Sequence, residues 1–178
     1  MKQVLLLTGR PGTGKTRLIK EAIAGMGSKA GGFYTEEMRS SAGTRLGFRL
    51  VTLDGQSATL AHVKIHSPYL VSKYGVDIDN LDKVGVAALR QAAQQCNLIV
   101  VDEIGKMELF SAEFKKAVLE IIDSGKRVLG TIMLNSHPWA DAIKRRPQVD
   151  LLPVTGANYH QVLAELRQWL KADDEDKS

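Results

Sequence analysis

Eight residues near the start of the chain, Gly9-Arg10-Pro11-Gly12-Thr13-Gly14-Lys15-Thr16, fit the spacing G-x-x-x-x-G-K-[ST]. Glycines so spaced let successive backbone N–H groups turn inward and form a nest for an anion. The lysine supplies a cation for the β- and γ-phosphates of a nucleotide, and the next hydroxyl is a ligand for Mg²⁺. All eight residues are expected to bind nucleotide, Lys15 with a catalytic role and Thr16 with a metal-binding one. A second pair, Asp102 and Glu103, closes the apolar run at 98–101. Asp102 fits the acid that holds Mg²⁺ in such sites. Glu103 fits a general base that orients and deprotonates a water for in-line attack on the γ-phosphorus. The competing reading of Glu103 is a carboxylate that caps the following turn or pairs with Lys106.

The elements around these residues supply the context. The run at 4–7 (VLLL) has the length and character of a strand buried on both faces. Beyond Lys15, apolar residues recur at Leu18, Ile19, Ala22, Ile23 and Met26, a helical stripe that Gly25 and Gly27 bring to an end. Strand, glycine loop and helix in that order make a P-loop, whose helix N-terminus adds free N–H groups and a favourable dipole for phosphate. Later in the chain Ser111 is a good N-cap for a helix carrying Phe114, Ala117, Val118, Ile121 and Ile122. "RVLGTI" reads as a third strand, "HPWADAIKRR" as a short helix and "VDLLPVT" as a fourth strand. A last helix carries Val162, Leu163, Leu166, Trp169 and Leu170. Strands alternating with helices predict an α/β fold, a largely parallel sheet covered by helices on both faces. Ligands of such sheets sit at the C-terminal strand ends, so the glycine loop and the Asp102-Glu103 pair are expected to meet at one edge.

Residues 32–64 differ in character. "GGFYTEEMR", "RLGFRLVTL" and "SATLAHVKI" are rich in β-formers, and "LDGQ" carries an Asp-Gly turn signal. They predict an antiparallel meander inserted after the P-loop helix. Residues 65–80 read as irregular. A helical pattern returns over 81–96, weakened at its start by Gly85.

Composition sets the outer bounds. The chain has 178 residues, 44% hydrophobic and 25% charged, values ordinary for one globular domain. No apolar run approaches the roughly 20 residues of a membrane span, and the few apolar residues before the glycine loop are too short for a signal peptide. The single cysteine, Cys96, has no internal partner and no metal-ligand spacing, and a cytoplasmic location is expected. Net charge is +4; the last eight residues carry −2, so the rest carries +6. A mildly basic body suits a polyanionic ligand, and no basic stripe interleaved with aromatics points to nucleic acid. The expected organisation is one domain over 1–171, with an acidic, frayed tail over 172–178. Neither a membrane nor a particular protein partner is indicated.

The stretches "TGRPGTGKTRLI", "GGFYTEEMR", "GFRLVTLDG", "KYGVDIDNL", "IVVDEIGKMELFS", "TIMLNSHP" and "PVTGANY" together resemble the thermophile-type P-loop nucleoside-triphosphatases, a family that includes the human cancer-related NTPase. The P-loop is shared by many families, whereas "DEIGKMELFS" with "GFYTEE" is specific. The resemblance covers nearly the whole chain. It implies a RecA-like core in which a Glu follows the metal-binding Asp. It also implies Mg²⁺-dependent hydrolysis of several nucleoside triphosphates without strict base choice.

Further candidates have two readings each. Arg146, or its neighbour Arg145, could stabilise transition-state charge on the γ-phosphate, or the pair could be solvated charges at a helix C-terminus. Lys106 has the same two readings. Thr131 and Asn135 follow the third strand and could sense the γ-phosphate or hold water. His137, before Pro138, reads as a turn residue. Glu36, Glu37 and Arg39 form either part of the site or a salt-bridged surface. The 155–159 loop joins the last strand to the last helix, where Asn158 or Tyr159 could touch the base. Two other activities fit the same motifs: phosphoryl transfer by a nucleoside or nucleotide kinase, and slow hydrolysis that resets a nucleotide-dependent switch or adaptor.

Overall fold

The computed structural model describes residues 1–175. Among the described residues, nine strands form one sheet in the order β5-β6-β4-β3-β2-β7-β8-β1-β9. In chain order they are β1 (Val4–Thr8), β2 (Ala30–Arg39), β3 (Arg45–Thr52), β4 (Ser57–His62), β5 (Leu70–Val71), β6 (Tyr74–Val76), β7 (Leu98–Ile104), β8 (Arg127–Ile132) and β9 (Val149–Pro153). The helices are α1 (Lys15–Ile23), α2 (Ile78–Asn80), α3 (Ala87–Gln95), α4 (Ala112–Asp123), α5 (Pro138–Lys144) and α6 (Tyr159–Glu175). Strands β2, β7, β8, β1 and β9 are mutually parallel.

Alternation along the buried strands divides the core. Leu5 and Leu7 of β1, with Leu98, Val100 and Leu129, pack under α1 and α6 through Leu18, Ile19, Val162, Leu166 and Trp169. Val4 and Leu6, with Ile99 and Val101, face the other way, toward Leu89 of α3, Phe114 and Val118 of α4 and Ile143 of α5. Period-two side-chain alternation sends neighbouring residues to opposite faces, which is why these strands read as continuous apolar runs. Helices therefore cover both faces of the parallel part, as expected from the sequence.

The meander is an extension of this sheet. β2 pairs in parallel with β7 over Ala30 to Phe33, then antiparallel with β3 from Phe33 to Arg39. The 65–80 stretch is more regular than expected: β5 and β6 form a tight hairpin, with Leu70 opposite Gly75 and Val71 opposite Tyr74. Strands of two and three residues are too short to show alternation, so composition alone reads there as irregular. Leu81–Val86 is a π-helical segment leading into α3, at the place where Gly85 interrupts the helical pattern. At the C-terminus α6 is helical through Glu175, so it takes in most of the expected acidic tail; residues 176–178 lie outside the described residues. No helix among the described residues is long and apolar enough to cross a membrane.

Candidate active site

The glycine loop connects β1 to α1. Gly14 caps α1 with φ +90°, a left-handed conformation that glycine adopts without steric cost. It accepts the first helical hydrogen bond from the Leu18 N–H at 2.9 Å. At the other end of the loop, a Cβ on Gly9 would lie 2.4 Å from the carbonyl oxygen of Val154, just past β9. The Lys15 side chain arches back over the loop and donates to the carbonyls of Gly9 (2.8 Å) and Arg10 (2.9 Å).

Strand β8 lies between β1 and β7, so the loop and the acidic pair come from strands separated by a single strand. Asp102 joins them. Its Oδ2 accepts from Thr16 Oγ1 at 2.7 Å, its Oδ1 accepts from Thr131 Oγ1 of β8 at 2.5 Å, and the Thr35 N–H of β2 also faces it. Three threonines from three elements thus fix one carboxylate that is 2% exposed. Burial pushes its pKa up, opposed by the Thr131 and Thr16 hydroxyls, the Thr35 N–H and the Lys15 charge. A threonine hydroxyl and a carboxylate oxygen side by side at the end of a P-loop are hard oxygen donors, the donor set Mg²⁺ takes alongside substrate phosphates.

Glu103 follows directly, across a cis peptide bond. The β7–β8 pairing shifts register between Val101 and Ile104, an irregularity of the kind that re-aims side chains beside active sites. Glu103 is pushed up to about 6, first by burial and then by the Asp102 charge, with Lys15 opposing both. Sequence reasoning missed a third acid. Glu108 opens the one-turn 3₁₀ helix Glu108–Phe110, is 3% exposed, and is pushed well up by burial and by Glu103. A signal existed in the acid's position between Met107 and the apolar pair Leu109-Phe110.

The other candidates are placed less uniformly. Arg146 is not brought to this edge, and its expected role in the transition state is not supported. It precedes β9, whose first residue pairs with Val4 at the start of β1, so it lies at the opposite end of the strands from the loop. There it pairs with Asp123 at 2.7 Å. Arg145 and Lys106 are exposed. Thr131 serves Asp102, Asn135 is exposed, and His137 caps α5 by accepting from the Trp139 N–H at 3.2 Å. Glu36 pairs with Arg49 (3.0 Å) and with Lys20 of α1 (3.7 Å); Glu37 pairs with Arg39 and Arg45. Asn158 uses its amide within its own loop, accepting from the Thr155 N–H at 2.8 Å and donating to the Pro153 carbonyl at 3.0 Å. Tyr159 is closer to the P-loop: a Cβ on Gly14 would meet its ring at 3.1 Å, and the Arg17 guanidinium lies 5.2 Å from the ring centre. A cleft of about 480 Å³ beside α1 is lined by Thr16, Arg17, Lys20, Glu21 and Ala24.

A family model described as NTPase matches residues 4–167. The chain is 46% identical over 167 residues to nucleoside-triphosphatase THEP1 of Thermotoga sp. strain RQ2, covering 94% of this chain and 95% of that one. It is 36% identical over 182 residues to the mouse cancer-related nucleoside-triphosphatase homolog, covering 93% and 95%. Among solved structures, the crystal structure of THEP1 from Aquifex aeolicus matches with TM-score 0.84 at 34% identity, covering 92% of this chain and 96% of that one. The solution structure of a human cancer-related nucleoside triphosphatase matches with TM-score 0.80 at 35% identity, covering 97% and 98%.

Proposed function

The chain belongs to the NTPase family, and from that premise we propose that it hydrolyses nucleoside triphosphates to the diphosphate and inorganic phosphate, with Mg²⁺ and little preference for the base. The observation that carries this reading is the 2.7 Å hydrogen bond from Thr16 to Asp102, which joins the phosphate loop to the acidic end of β7. The loop N–H groups and the start of α1 receive the phosphates. Lys15 exchanges its loop carbonyls for β- and γ-phosphate oxygens. Thr16 and Asp102 are the residues that would hold Mg²⁺, which when bound neutralises charge across the β- and γ-phosphates.

Glu103 orients a water and takes its proton as the water oxygen bonds to the γ-phosphorus. The bond from that phosphorus to the β–γ bridging oxygen breaks, and the nucleoside diphosphate leaves with the electron pair. Weak base choice is supported by the family likeness and by the Asn158 amide, which is used within its own loop. A loosely polar base site discriminates poorly, because no buried hydrogen-bonding group is left unpaired by the wrong base.

The test is a panel of ATP, GTP, CTP and UTP with Mg²⁺, with a chelator, and with nucleoside and nucleotide acceptors, scoring phosphate and phosphorylated acceptor together. The proposal expects phosphate from all four nucleotides, loss of activity in chelator and no phosphorylated acceptor. Transfer to an acceptor in preference to water would overturn it, as would a preference above roughly 10³-fold for one base.

A further inference from the structure

The chain turns at Gly105 immediately after β7. A Cβ on Gly105 would lie 2.5 Å from Glu103 Oε1 and 3.0 Å from both its Cγ and Cδ. Gly105 is not among the residues with positive φ, so the turn itself accepts an L side chain. What demands glycine here is room: the Glu103 side chain lies across the Gly105 α-carbon. The turn is held from its other side. The Gly105 carbonyl accepts from the Leu109 N–H at 3.0 Å, and its N–H faces the carboxyl of buried Glu108. A buried acid with no catalytic task of its own is costly to keep, unless its hydrogen bonds fix something nearby.

We propose that Gly105 and Glu108 are positioning residues for Glu103, Glu108 fixing the turn and Gly105 leaving the bare backbone against which the Glu103 carboxylate is seated. The inference rests on Glu103 as the base. A methyl group at position 105 meets the far end of a flexible side chain, so the fold accommodates it by moving that carboxylate by roughly 1 Å, a displacement that costs on the order of 10²-fold in rate. Glu108 acts one step further back: without an acceptor for the Gly105 N–H, the turn loses its register and Glu103 loses its seat.

The experiment measures kcat, KM and thermal midpoint for E103Q, G105A and the double variant G105A/E103Q, with Mg²⁺ and ATP. G105A is expected to lower kcat about 10²-fold with KM and midpoint nearly unchanged. In the double variant turnover is expected to be no slower than in E103Q alone, because a misplaced carboxylate has little left to lose. Wild-type kcat in G105A, or losses that multiply in the double variant, would overturn the proposal. Failure of the base assignment is separable: there E103Q itself turns over like wild type. A second pair serves if G105A does not fold. E108A is expected to lower kcat about tenfold or more, and E108Q to restore it through an amide oxygen that still accepts from Gly105. Equal kcat in E108A and E108Q would contradict the role given to Glu108.

Discussion

The Lys15 ammonium holds the loop together and, under the proposed function, also receives the phosphates. In this structure it satisfies two loop carbonyls, at 2.8 and 2.9 Å, and its charge opposes the upward push on both Asp102 and Glu103. In the proposed reaction it becomes the fixed cation over the β- and γ-phosphates. Lys15→Ala is therefore expected to reduce hydrolysis of every nucleoside triphosphate by at least about 10²-fold while the chain stays folded, measured as kcat alongside circular dichroism. Near-normal kcat in a folded variant would remove the loop from the mechanism. Residues of this kind were legible because a motif fixes them by spacing alone. Glu108 was not read: its one signal is an acid set among apolar neighbours, and an acid buried by a single turn of helix leaves no periodic signature. Arg146 was misjudged although topology held the answer, since a residue that precedes a parallel strand lies at the edge opposite the one where ligands bind.

The elements were legible to the extent that their patterns exceeded a few residues. β1, β7, β8 and β9 appear as apolar runs, and α4 as a stripe behind its cap. Ser111 does cap α4, accepting from the Phe114 N–H at 3.0 Å, and its hydroxyl donates to Asp82 of the π-helical segment at 2.5 Å. Ser111 is 1% exposed, so water cannot replace it. Ser111→Ala is expected to lower unfolding free energy by about 1–2 kcal/mol, the upper part of the range for a lost cap, with the denaturant slope unchanged. Urea denaturation checks this, and an unchanged midpoint would mean that the cap contributes little. The sequence did not disclose that β2 belongs to two pairings at once, parallel to β7 and then antiparallel to β3. Its composition reports that it is a strand, whereas its partners are set by where the chain folds back. That dual membership brings the Thr35 N–H to Asp102 and makes the meander part of the site's frame.

For the whole molecule, the proposed site would couple nucleotide binding to stability. The site draws on β1, β2, β7, β8 and α1, elements that come together only in the folded chain. A ligand that binds only this state stabilises it by about 2.7 kcal/mol at a hundred times its Kd. For a chain of this length that is a rise in Tm on the order of 5–10 °C. Thermal unfolding with ATP and Mg²⁺ is expected to show this rise, and a chelator to remove most of it; an equal shift without Mg²⁺ would mean that Thr16 and Asp102 do not act through a metal. In the proposed reaction, water activated by Glu103 attacks the γ-phosphorus at the edge where the glycine loop meets β7. Single-turnover hydrolysis in ¹⁸O-labelled water, for wild type and E103Q at equal nucleotide occupancy, tests it most directly. Attack at the γ-phosphorus is expected to leave one solvent oxygen in inorganic phosphate and none in the nucleoside diphosphate, with E103Q slower by roughly 10²–10⁴-fold at unchanged nucleotide affinity. Solvent oxygen in the diphosphate, or wild-type turnover in E103Q, would contradict it.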